Sequence, residues 1–104
     1  MLTAMKVRWT KRAVRLRIDD LELAALQRGE TLREEVRLVG GAWSMSLTVG
    51  GNADLAARGG DFVAVLSADE FASLCDETRE GVEREGAPKL LVEKDFLPAH
   101  GSGA

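Results

Sequence analysis

The segment Pro88-Lys89-Leu90-Leu91-Val92-Glu93-Lys94-Asp95-Phe96-Leu97-Pro98 decides how the two ends of this chain relate. Its residues alternate with the period of a strand. Leu90, Val92, Lys94 and Phe96 share one side; Leu91, Glu93, Asp95 and Leu97 share the other. A proline at each end suits the limits of a strand. The acidic side needs a basic neighbour, and the start of the chain supplies one in Lys6, Arg8, Arg15 and Arg17. The sequence therefore predicts that the first and last strands lie together.

Working outward, Met5-Lys6-Val7-Arg8-Trp9 and Ala13-Val14-Arg15-Leu16-Arg17-Ile18 both alternate apolar with basic residues. They read as a hairpin with Met5, Val7, Trp9, Val14, Leu16 and Ile18 facing the core. Asp19 and Glu22 then have capping-box spacing, with Ile18 and Leu23 as the flanking hydrophobic staple. A helix is expected there, with a stripe of Leu21, Ala24 and Ala25 widened by Leu23 and Leu26, and with Gly29 ending it.

Leu32 to Val39 and Ala42 to Val49 form a second hairpin about Gly40-Gly41. Leu32, Val36 and Leu38 point inward, with Trp43, Met45, Leu47 and Val49 opposite. Glu34 shares their parity and so needs a partner or a sheet end. Ser44, Ser46 and Thr48 point the other way. Ala53 to Gly60 reads as a connection with a helical turn at Ala53 to Ala57. Asp61 to Leu66 is a continuously apolar central strand. Ser67 and Glu70 repeat the capping-box spacing, and Ala68, Phe71, Ala72 and Cys75 recur at helical intervals. Glu80 to Glu85 reads as a short strand about Val82. The two strand-to-helix junctions look alike, but four matching positions are too few to define a repeat.

The expected fold is α+β: a mainly antiparallel, curved sheet with two helices, in the order β-β-α-β-β-β-α-β-β. One domain over 5–98 is expected, with an extension at 1–4 and a loose tail at 99–104.

The opening strands and the Leu90-Leu91-Val92-Glu93-Lys94-Asp95-Phe96 segment resemble the start and the C-terminal signature of a family of small bacterial proteins of unknown function. The middle of the chain is similar mainly in the layout of its elements. The resemblance implies a cysteine and further acidic residues after the signature, where Leu97-Pro98-Ala99-His100 stand here. It implies no activity.

Charge and composition bound the chemistry. Net charge is −3, yet residues 1–18 carry six basic residues and no acidic one, giving +6 against −9 in the remainder. Alternation with apolar residues makes this a basic sheet face rather than a nucleic-acid arm. One cysteine and one histidine cannot build a Cys/His zinc site or an internal disulfide. Glu93 and Asp95 leave a carboxylate metal site formally open, although arginine or lysine is the commoner partner. Cys75 reads as a packed thiol and His100 as a tail residue, so no catalytic residue is assigned. The glycine pairs match neither a phosphate loop nor a dinucleotide fingerprint, and no cofactor is expected. No apolar run is long enough to span a bilayer and no secretory pattern is visible; with a single cysteine, this points to the cytoplasm.

Two functions remain. One is a small binding or protein-interaction module without catalysis of its own, meeting a protein partner or another copy of itself through Ser44, Ser46, Thr48, the basic face or an edge strand. The other is a phosphate- or anion-binding domain, or a small phosphate-handling enzyme, using Arg8, Arg15, Arg17 and Glu93. Nucleic acid is not favoured, because both tryptophans are expected in the core.

Overall fold

A computed structural model describes residues 5–94. The expected extension at 1–4 and tail at 99–104 lie outside the described residues, as do Asp95, Phe96 and His100. The described residues form β1 (Lys6–Trp9), β2 (Ala13–Ile18), α1 (Asp20–Gln27), β3 (Leu32–Leu38), β4 (Gly41–Val49), β5 (Asp54–Arg58), β6 (Asp61–Leu66), α2 (Ala68–Cys75), β7 (Gly81–Arg84) and β8 (Lys89–Lys94). The order is the expected one with β5 added. The α+β class and the mainly antiparallel pairing hold.

The strands make two four-stranded sheets, ordered β1-β2-β8-β7 and β3-β4-β6-β5. Outer pairs are antiparallel hairpins, whereas the central pairs β2–β8 and β4–β6 are parallel. The first hairpin and the last strand do lie together, through β2, with Arg17 beside Glu93 in the β2–β8 register.

The fold repeats where the sequence alone shows little. β1-β2-α1-β3-β4 and β5-β6-α2-β7-β8 have the same layout. Lys6 pairs with Arg17 and Trp9 with Val14; 48 places on, Asp54 pairs with Val65 and Ala57 with Phe62. The caps Asp19 and Ser67, and the residues Glu22 and Glu70, keep the same interval. Each sheet takes its first hairpin from one half and its second from the other, so the halves are interlocked.

The inner faces meet in one core. Val14, Leu16 and Ile18 of β2, Leu90 and Val92 of β8, Met45 and Leu47 of β4, and Ala64 and Leu66 of β6 are buried there with Met5, Leu26 and Leu74. Fully burying one such leucine is worth about 1.5–3 kcal/mol.

Both helices start as expected, each with a complete capping box. Helix α1 ends in a Schellman motif: Gly29, at φ 85°, donates to the Leu26 carbonyl, and Glu30 donates to that of Ala25. The helix faces are rotated from the expected stripes. On α1, Glu22, Ala25 and Leu26 are buried while Leu21 is exposed; on α2, Leu74 is buried while Ala68 and Ala72 are exposed. Where each helix leaves its parent strand sets which stripe meets the core, and alanines tolerate either side.

The expected helical turn at Ala53 to Ala57 is instead strand β5. Pairing with β6 satisfies its backbone along one side and overrides the helical preference of alanine.

Candidate functional site

The outer face of the first sheet carries Arg8, Arg15, Arg17 and Glu93. Arg8 lies opposite Arg15, and Lys6 opposite Arg17. The Nε atoms of Arg15 and Arg17 approach the same Glu93 oxygen, at 3.4 and 3.5 Å. Glu93 is thus shared between two arginines, each contact being worth about 0–1 kcal/mol at such exposure. Arg8 makes no ion pair with a described residue. The structure therefore brings Arg15, Arg17 and Glu93 together and sets Arg8 beside them. Asp95, the other expected acidic neighbour, lies outside the described residues.

A second surface was hidden by the expectation that both tryptophans are buried. Trp9 is 52% exposed and Trp43 is 51% exposed. β1 is an edge strand, so Val7 and Trp9 are covered from one side only. The β3–β4 hairpin runs past the start of β6, since pairing begins at Ser44 and Asp61; this leaves Trp43, Val36 and Leu38 exposed beyond the core. Phe62 holds the aromatic group together. Its ring centroid is 4.6 Å from that of Trp9 in an edge contact, and 5.5 Å from that of Trp43 in a stack.

Trp9 and Phe62, with Val14, Met45, Leu55 and Pro88, line a cavity of about 160 Å³. Beside it the Thr10–Arg12 turn and the Gly86–Lys89 segment border a broader open depression. Thr10 shapes that turn through its hydroxyl, which donates to the Ala13 carbonyl and accepts the Ala13 N–H. The turn presents Lys11 and Arg12, neither of which has an ion pair among the described residues. Lys89 is paired with Glu83 and Glu85, which raises its pKa. The alternation that identified β1 could not reveal this surface, because alternation gives a side chain's face and not the depth of its cover.

The Ser44-Ser46-Thr48 face is partly engaged. Ser44 is buried and donates to Asp61 at 2.6 Å, and the Thr31 hydroxyl donates to that of Thr48. Cys75 is a free, half-buried thiol beside the Gln27 amide. Among the described residues no group of three or more His, Cys, Asp or Glu is placed to hold a metal ion, and no helix is long and apolar enough to cross a membrane.

The helix starts hold two carboxylates in matching places. Glu70 receives both Nε and Nη2 of Arg84, at 2.9 and 2.6 Å, and this pairing lowers its pKa. Glu22 is buried with no such partner among the described residues. Burial raises its pKa, and the charges of Asp19 and Glu34 push it the same way against the hydrogen bond from the Asp19 N–H.

A model of a family of unknown function (DUF7009) matches residues 5–100. Among curated proteins, none matches the chain.

Proposed function

The chain belongs to that family, which has no assigned activity, and we propose that it is a binding module without catalysis of its own. Its partner is a protein segment that presents an apolar side chain flanked by acidic residues. The observation that carries this reading is half-exposed Trp9 lining an apolar cavity and joined through Phe62 to half-exposed Trp43, beside Lys11 and Arg12, which have no ion pair among the described residues. Partly exposed aromatics held rigid by a third ring suit an interface anchor, because little side-chain freedom is lost on contact. The basic turn supplies charge complementarity and steers an acidic partner.

Selection of a peptide library against the immobilised protein tests this. Enriched sequences should share an aromatic or leucine anchor next to Asp or Glu, and should shift the tryptophan emission on binding. Trp9→Ala should weaken them by about thirty-fold or more, as expected for an interface anchor. Lys11→Glu with Arg12→Glu should weaken them most at low salt. Peptides without an apolar anchor, or equal binding by Trp9→Ala, would sink the proposal.

A specific observation also favours an anion at the outer face: the buried Arg15 Nε has no hydrogen-bond partner among the described residues despite its approach to Glu93. An anion bound there competes with Glu93 for Arg15 and Arg17. Saturable binding of inorganic phosphate or polyphosphate that strengthens in Glu93→Gln and disappears in Arg15→Ala would support this second reading.

A further inference from the structure

The two halves differ in charge at one matched pair of positions. Arg84 of β7 lies opposite Leu90, which lies beside Val14. Glu34 of β3 lies opposite Met45, which lies beside Phe62. Val14 and Phe62 are counterparts in the repeat, so Glu34 stands where Arg84 stands in the other half. Glu22 likewise stands where Glu70 does.

In the second half this arrangement is closed. The Arg84 guanidinium bonds both oxygens of Glu70, donates through Nη2 to the Val65 carbonyl at 2.6 Å, and donates through Nη1 to the Asp54 carbonyl at 3.1 Å. β7 of one sheet is thereby tied to β5 and β6 of the other. In the first half, two carboxylates take the places of a carboxylate and a guanidinium. Glu22 is only 6% exposed and Glu34 is half-buried. Neither has an ion pair with a described residue. The charge of Glu34 adds to burial and Asp19 in raising the Glu22 pKa.

A separate observation comes from the cap. Asp19 is 5% exposed; its Oδ1 accepts the Glu22 N–H, while its Oδ2 is buried with no hydrogen-bond partner among the described residues. Ser67, the matching cap, carries only one side-chain oxygen, which accepts the Glu70 N–H. The first half therefore offers acceptor oxygens and negative charge where the second half holds a cation.

We propose that Glu22, Glu34 and Asp19 form a receptor for an organic cation, a guanidinium or ammonium group, seated as the Arg84 guanidinium is seated in the matching half. Buried like charges are costly unless a counter-charge joins them. A planar, forked donor suits two carboxylates, and among the described residues no three His, Cys, Asp or Glu side chains are placed to hold a metal ion. The cation arrives either as a free amine or as the arginine or lysine of a partner protein. This site is independent of the aromatic surface, so either proposal can fail alone.

Thermal melting of the full chain tests the receptor, with agmatine as the free cation, a capped glycine-arginine-glycine peptide as the side-chain source, and magnesium as a metal control. The melting temperature should rise saturably with agmatine or with the peptide, and the one that acts identifies the source. Glu34→Gln, which keeps the shape, should lose the response. Glu34→Arg should rebuild the Arg84 arrangement, melt about 4–8 °C above the parent, and no longer respond. No saturable rise with either probe, an equal rise with magnesium, a response surviving in Glu34→Arg, or a lower melting temperature for that variant would each overturn the proposal.

Discussion

Glu22 and Glu70 occupy matching places in two capping boxes, yet their surroundings drive them in opposite directions. Arg84 holds Glu70 below the ordinary glutamate value of 4.5, while burial and two neighbouring carboxylates raise Glu22 above it. The consequences for stability have opposite signs. A raised folded pKa means that, between 4.5 and the raised value, the native state holds more protons than the unfolded chain. The Glu22 contribution is therefore fully present below 4.5 and is lost as pH rises through the folded value. The Glu70 contribution is present above 4.5 and is lost as pH falls through its lowered value. Glu22→Gln keeps an oxygen for the Asp19 N–H but removes the titration. Its urea midpoint should gain on the parent as pH is raised from about 4.5 towards neutrality. A constant difference between the two across that range would show that Glu22 does not titrate there.

Elements were legible in the sequence wherever local chemistry decides them. The two capping boxes, the Gly29 stop and the Gly40-Gly41 turn are set by residues within a few places of one another. The outer-face arginines and Glu93 were also legible, since alternation fixes which face a side chain takes. Trp9 and Trp43 were not, because their exposure depends on which strands become edges and how far a hairpin overruns its neighbour. β5 was hidden for a related reason, its alanines favouring a helix until β6 is beside them. Nor does pattern alone give the role of Arg84, which ties an edge strand to the opposite sheet from 30 residues away. At that scale, Arg84→Met should free β7 from β5 and leave Glu70 without its partner. Both side chains are about three-quarters buried, so a loss of about 1.5–3 kcal/mol is expected in denaturant unfolding. A loss below about 0.5 kcal/mol would mean that the tie adds little to what the β7–β8 hairpin supplies.

The whole molecule is two similar halves that exchange hairpins. β1 and β2 complete a sheet with β7 and β8, and β3 and β4 complete one with β5 and β6. Neither half holds a finished sheet of its own. Residues 1–50 should show no cooperative melting as a monomer by circular dichroism, and mixing with residues 51–104 should restore it. Cooperative melting of monomeric 1–50 would mean that the exchange is dispensable. The β2–β8 pairing also carries a consequence for the order of events on the ribosome. Each β2 residue is made 76 residues before the β8 residue it pairs with. At about 5–20 residues per second, roughly 4–15 s separate the synthesis of Ile18 from that of Lys94. Throughout that interval the nascent β2 edge lacks its β8 neighbour, and a β7–β8 hairpin from a neighbouring chain on the same message offers that edge the same pairing pattern.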